Sequence, residues 1–254
     1  MINRLREIED AYTELFCKKQ SFPGRDVFSD SAIPGMYCHN FVLFQDAANQ
    51  EGVRAYISGC LREMRSTGKD FLKFVFHPGI QVPPELLEWA EKLGFEVSCI
   101  KYMYMPVSSG IAPAEEDGCI VKRAETADEI DEGLKCAAKY ETSPISAKKL
   151  RQKRERYLNH SLQYYVCSVD GSPVGYCDYF VKNGIVKFEE FVVLDAYQGK
   201  GYGTKMLRKM LADAATQGVQ YAYVVTDAEG KDHNLYYKTG FDFVGEETEL
   251  FIVK

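Results

Sequence analysis

The chain has 254 residues, 46% hydrophobic and 27% charged, with a formal net charge of −6. That length suits two domains, and no apolar run approaches the roughly 20 residues that span a bilayer. Residues 1–10 mix charges where a signal peptide carries an apolar core, and the acidic balance disfavours a nucleic-acid partner, which selects a basic face.

A cytoplasmic protein with no membrane partner, monomer or homodimer, is the resulting expectation. The eight cysteines include no pair two to four residues apart and the four histidines are dispersed. Buried thiols are therefore expected, with no metal site.

In the first half, residues 52–66 read as a helix, 71–76 as a strand, 84–92 as a helix and 95–105 as a strand. Residues 106–118 are rich in Pro, Gly, Ser and acid and lack periodicity, which marks a boundary between a domain at 1–112 and another at 118–254. Beyond it, 119–123 reads as a strand and 128–140 as a helix capped by Thr126 or Asp128. Ser143-Pro144 breaks that helix, and a very basic one follows at 147–158. Its Lys and Arg residues are expected to form a solvated face.

Residues 163–169 form a strand that turns at Asp170-Gly171, and strands at 174–181 and 185–194 are joined at Asn183-Gly184. A strand at 221–225, a helix at 232–239 and a strand at 243–253 complete the pattern. Hairpins followed by a strand–helix–strand crossover make a mixed α/β sheet. Tyr102, Tyr104, Tyr164, Tyr165, Tyr176 and Tyr179 fall on strand-like segments, where core packing is the default.

The most informative segment follows Phe191-Val192-Val193. Gly199, Gly201 and Gly203 occupy alternate positions just before a good helix former at 205–215. Strand, glycine turn and helix start suit an anion, with an ordinary tight strand-to-helix turn as the alternative: a helix N-terminus offers free N–H groups and partial positive charge, and glycines keep Cβ atoms out of the way. No Gly-Lys-Ser/Thr ending marks a P-loop, and the upstream hairpins argue against a dinucleotide fold. Two further segments echo one another. Lys92-Leu93-Gly94-Phe95 and Lys238-Thr239-Gly240-Phe241 both end a helix at glycine and enter a strand. Such joints are common, but a degenerate internal copy explains them too.

Gln198-Gly199-Lys200-Gly201-Tyr202-Gly203 resembles the Gln/Arg-x-x-Gly-x-Gly/Ala pyrophosphate loop of the GNAT superfamily of acyl-CoA N-acyltransferases. Leu235-Tyr236-Tyr237-Lys238-Thr239-Gly240-Phe241 resembles its downstream Leu-Tyr-x-Lys-x-Gly-Phe. The likeness covers about residues 118–254. Asp195 stands where the family commonly has proline, and the usual asparagine of the later helix is displaced, with Gly230 near its offset and Asn234 further along.

The resemblance implies a GNAT-like α/β fold, a mostly antiparallel sheet flanked by helices, in two tandem copies of which the N-terminal is degenerate. It implies acetyl-CoA as acyl donor, held by Phe191, Val192 and Val193 along the strand and by Gln198, Gly199, Lys200, Gly201, Tyr202, Gly203 and Thr204 at the loop. The acceptor is an amine on a small molecule or peptide, and no metal is needed. Tyr236 is the implied general acid, with a packing aromatic as the alternative; Tyr237, a helix step away, should face elsewhere.

The base is open between Glu189, Glu190, Asp178 and a water chain. Strand alternation places Glu189 with Phe191 and Val193, and Glu190 with Phe188 and Val192, on opposite faces. An acyl-CoA sensor or partner-docking module of the same fold is the rival reading. Aminoacyl transfer from tRNA is a weaker one, against which the acidic charge counts.

Overall fold

A computed structural model describes residues 1–108, 118–141, 143–228, 230 and 233–254. Residues 109–117 of the expected boundary segment, and Asp232 at the expected start of the late helix, lie outside the described residues. The chain begins with helix α1 (Ile2–Thr13), strands β1 (Lys18–Phe22), β2 (Arg25–Ser29) and β3 (Phe41–Phe44), helix α2 (Gln50–Thr67), β4 (Phe71–Phe76), α3 (Pro84–Lys92) and β5 (Glu96–Pro106). It continues through β6 (Cys119–Ala124), α4 (Ala127–Tyr140), α5 (Pro144–Leu158), β7 (Gln163–Val169), β8 (Ser172–Lys182) and β9 (Ile185–Val193). The last elements are α6 (Tyr202–Thr216), β10 (Tyr221–Asp227), α7 (His233–Thr239) and β11 (Asp242–Val253).

The first four elements carry no clear signal in the sequence. In α1 the apolar stripe is only Leu5, Ile8 and Tyr12, and it includes a buried cation: Arg6 bonds Asp10 at 2.7 Å and Glu247 at 3.1 Å. A charged residue on the inner face hides the helical period.

Two compact units result, one of residues 1–102 with 226–229 and 244–254, the other of 103–225 with 230–243. In the first, the strand order is β1-β2-β3-β4-β11-β5. Its β1, β2 and β3 run antiparallel, β3 and β4 pair in parallel across α2, and β11 pairs antiparallel with β4. In the second, β6 to β9 form an antiparallel meander and β9 pairs in parallel with β10 across α6. Mixed α/β units with mostly antiparallel sheets match the sequence expectation.

The turns form where the sequence places them. Asp170 and Gly171 (φ 49° and 75°), like Asn183 and Gly184 (52° and 72°), occupy the left-handed region that a two-residue hairpin turn requires. Thr126 caps α4 in a reciprocal box with Glu129. Ser143 opens α5 by accepting from the Ser146 amide at 3.1 Å, so this helix starts earlier than expected.

The second unit's core collects Met206, Leu207, Met210, Leu211 and Ala214 of α6 against Val186 and Phe188 of β9 and Tyr165 and Tyr179. Full burial of each large apolar side chain contributes about 1.5–3 kcal/mol. That packing fixes the helix whose N-terminus forms the site. Tyr102, Tyr164, Tyr165, Tyr176 and Tyr179 are core residues, as expected, and Tyr104 is half-buried. No helix among the described residues is long and apolar enough to cross a membrane.

Candidate active site

Strand β9 pairs with both neighbours over only part of its length. Its parallel ladder with β10 ends at Phe188↔Val224, whereas its antiparallel ladder with β8 continues to Val193↔Gly175. The last residues of β9 therefore present an edge on the β10 side. A single turn of 3-10 helix at Asp195–Tyr197 then leads into the glycine loop.

Gly199 (φ 74°) and Gly201 (φ 82°) both adopt the left-handed region, and a Cβ on either would meet nothing within 4 Å. Backbone angle, and not crowding, requires glycine here. Gly201 is the N-cap of α6 and supplies no side-chain cap. The first intrahelical bond around it runs from the Lys205 amide to the Gly201 carbonyl at 3.1 Å. The Tyr202, Gly203 and Thr204 amides precede that bond, which leaves them for a ligand at the positive end of the helix.

A cavity of about 360 Å³ joins these two features. Of the ten residues that the sequence assigns to the coenzyme, Phe191, Val192, Val193, Gln198, Gly199, Gly201, Tyr202, Gly203 and Thr204 line it. Lys200 does not; its ammonium lies over the Tyr197 ring, 5.1 Å from the centroid. The Gln198 side chain faces its own loop, donating to the Val193 carbonyl (2.9 Å) and the Asp195 carboxylate (3.0 Å). It braces the turn from strand to loop. Asp195, the departure from the usual proline, thus has a partner. Leu235, the first residue of the downstream motif, lines it too, and Tyr140 and Tyr197, which no local motif announces, complete the lining.

Residues 130–241 match the Acetyltransferase (GNAT) family. The segment belongs to the GNAT acetyltransferase family. The chain is 24% identical over 250 residues to a protein of Bacillus subtilis (strain 168) named "Uncharacterized N-acetyltransferase CgeE", covering 95% of this chain and 94% of that protein. Its fold is similar to that of a functionally unknown conserved protein from Staphylococcus epidermidis ATCC 12228 (TM-score 0.78, 15% identity, 94% of each chain). It is also similar to a tandem GNAT protein from the clavulanic acid biosynthesis pathway (TM-score 0.60, 14% identity, 92% of this chain and 81% of that one).

Within this GNAT domain the candidate proton-transfer residues are placed unequally. Tyr236 is 6% exposed; its ring lies edge-on to Phe191 at 6.3 Å and to Phe241 at 5.8 Å, beside the cavity-lining Leu235. Tyr237 is 49% exposed and faces elsewhere, as helix geometry requires.

The expected face assignment of the two glutamates is wrong, because β9 is not a regular strand. Tyr176 pairs with Val192 but Asp178 with Glu189, so an extra residue of β9 bulges opposite Cys177. Glu190 sits in the bulge at φ 51°. Side-chain alternation resets there: Val186 and Phe188 before it, and Phe191 and Val193 after it, all pack on the same core. Glu189 pairs with Lys187 at 2.7 Å, and Lys187 is itself buried beneath Tyr223.

Glu190 pairs with both Lys149 and Lys153 of α5. Lys153, 1% exposed, also bonds Asp178 at 2.5 Å, and the Tyr157 hydroxyl donates to the same carboxylate at 2.5 Å. Lys149 reaches Glu141 at 3.0 Å. Burial alone would raise the Glu190 carboxyl, but the two ammonium groups outweigh it and hold Glu190 at about 2. For Lys153 burial acts downward and the Asp178 and Glu190 carboxylates more than reverse it, so the ammonium keeps its charge.

The basic helix therefore corrects a second expectation: Lys149 and Lys153 point inward to neutralise buried carboxylates. Asp178, with no exposed surface, is occupied by Lys153 and Tyr157. No local sequence signal reveals this, because the carboxylates beneath α5 come from two strands distant in sequence.

Proposed function

We propose that this protein transfers an acetyl group from acetyl-CoA to an amine by direct attack in a ternary complex in the cytoplasm. The observation that carries the reading is the continuity of one cavity from the end of β9, open on its β10 side, to the amides of α6. A diphosphate fits the amide-rich helix start, and the pantetheine amides fit the open strand edge as an added strand. A thioester laid along that edge would have its carbonyl carbon fixed, and positioning of this kind supplies much of the acceleration of acyl transfer.

The amine nitrogen attacks that carbon, the N–C bond forms and the C–S bond breaks. Tyr236 gives its hydroxyl proton to the departing thiolate and takes back the second N–H proton that the nitrogen sheds as the amide forms. The proton lost by the ammonium substrate passes to Glu189 or to water. The N-terminal unit is a degenerate second copy in this reading. Its parallel crossover β3–α2–β4 mirrors β9–α6–β10, but Asn49 caps α2 through its own side chain, accepting from the Gly52 amide at 3.0 Å. A helix start satisfied in this way has no glycine loop to offer an anion.

Calorimetry with acetyl-CoA tests the coenzyme site, and the absence of heat at saturating ligand refutes it. Tyr236→Phe tests the chemistry. Its expected effect is a turnover lower by roughly 10²–10⁴-fold with acetyl-CoA affinity retained. The second reading, an acyl-CoA sensor, is favoured by the ion pairing of both strand glutamates. It prevails if the wild type binds acetyl-CoA but acetylates nothing in a broad amine panel.

A further inference from the structure

The cluster around Lys153 is a buried polar feature of the second unit that the proposed chemistry leaves unused. Its geometry has one consistent direction. A left-handed backbone costs a glutamate free energy that glycine would avoid, yet Glu190 holds φ 51°. Its carboxylate runs to two lysines on α5, and one of these is locked by Asp178 on β8 and, through that carboxylate, to Tyr157. The bulge at Glu190 lies two residues beyond Phe188, where the ladder to β10 stops, and immediately before Phe191, Val192 and Val193, which line the cavity. Glycine at 175 completes the arrangement: a Cβ there would lie 2.7 Å from the Val192 carbonyl oxygen, so β8 closes tightly on the strand just past the bulge.

We propose that Glu190 is a positioning residue: anchored by Lys149 and Lys153, it holds the bulge that turns Phe191, Val192 and Val193 toward the pantetheine arm, and it is not the proton acceptor of the reaction. The inference rests on the coenzyme reading of the cavity. The anchor touches the strand end and not the glycine loop. Its loss should therefore weaken binding of the pantetheine portion and spare the nucleotide end.

Two ligands separate these effects in calorimetry: acetyl-CoA, and adenosine 3′-phosphate 5′-diphosphate, which has the diphosphate but no pantetheine. For Glu190→Gln the expected result is about a tenfold or greater loss of acetyl-CoA affinity with the nucleotide's affinity unchanged. Equal loss for both ligands overturns the inference in favour of general structural damage. Unchanged affinity for both, or loss of turnover alone, overturns it in favour of a base or of no role. Should Glu190→Gln fail to fold, Lys149→Gln keeps Lys153 in place. It is expected to show a smaller loss confined to acetyl-CoA, and no loss there overturns the inference as well. A wild type that binds neither ligand refutes the coenzyme reading itself, a different outcome from all of these.

Discussion

Gly201→Val is the sharpest probe of the amide cradle, because the position isolates backbone angle from crowding. Gly201 holds φ 82° and a Cβ there meets nothing within 4 Å. An ordinary L residue gives up about 1–2 kcal/mol to occupy the left-handed region, and a β-branched one more. If the turn keeps its shape, that strain appears as lost stability, a fall in the melting midpoint of about 2–4 °C per kcal/mol for a protein of this size. If the turn relaxes, the Tyr202 and Gly203 amides leave their present direction. Each charge-assisted hydrogen bond lost to a diphosphate is worth about 1.5–3 kcal/mol, which weakens the acetyl-CoA dissociation constant by roughly ten- to a hundredfold.

Gly203→Ala is the control. Its Cβ would stand 3.4 Å from Leu235 Cδ2 and 3.5 Å from Phe191 Cε1, in ordinary contact and without a positive φ. It is expected to change affinity by no more than about twofold. Calorimetry with acetyl-CoA and a thermal melt on each variant are sufficient. Unchanged affinity together with an unchanged melting midpoint in Gly201→Val would refute the reasoning, because the strain must appear in one or the other.

Gly175→Ala should cost about 1–3 kcal/mol in chemical denaturation, because the atom its Cβ meets at 2.7 Å is a backbone oxygen and cannot rotate away; a neutral result would show that the strands separate freely there. Lys153→Met should cost about 3–5 kcal/mol, since it leaves the Asp178 and Glu190 carboxylates buried with less counter-charge; urea melts measure it, and Lys153→Met with Asp178→Leu should recover part of the loss. Glu190 is lowered in the folded state from its ordinary 4.5 to about 2, so its contribution to stability is complete above about pH 4.5 and is lost as pH falls toward 2. Thermal melts across that window should fall more steeply for the wild type than for Glu190→Gln, and parallel slopes would contradict the ion-paired state.

What the sequence revealed about the site follows from which features are local. Hairpin turns at Asp170-Gly171 and Asn183-Gly184, the Thr126 cap and the glycine loop each depend on a few adjacent residues whose backbone angles or side-chain reach are fixed by chemistry. The helix-stop echo is equally local, and the structure shows it in the same bonds twice. The Phe95 amide donates to Ala90 (3.1 Å) and Phe241 to Tyr236 (3.0 Å), while Gly94 and Gly240 hold φ 94° and 103°. The bulge was illegible because nothing in Glu189-Glu190-Phe191 announces an extra residue; it exists only relative to β8. The inward lysines were illegible for the same reason, since Lys149 and Lys153 look solvated until two strands bring carboxylates beneath them.

Those two misreadings have one cause. Period-2 alternation assumes an unbroken ladder, so a single bulged residue moves every later side chain of β9 to the other face. That puts Phe191 and Val193 on the core that Val186 and Phe188 begin, and it sends the Glu190 carboxylate to α5. A strand with unbroken alternation could not keep Phe191 and Val193 on the core that α6 packs against while its end stays open on the β10 side. The bulge lets one strand do both, and a glutamate at φ 51° persists there because two ammonium groups, Lys153 buried and Lys149 half-buried, hold its side chain. A strained backbone position and a concentrated charge cluster in the same unit are thus two ends of one arrangement.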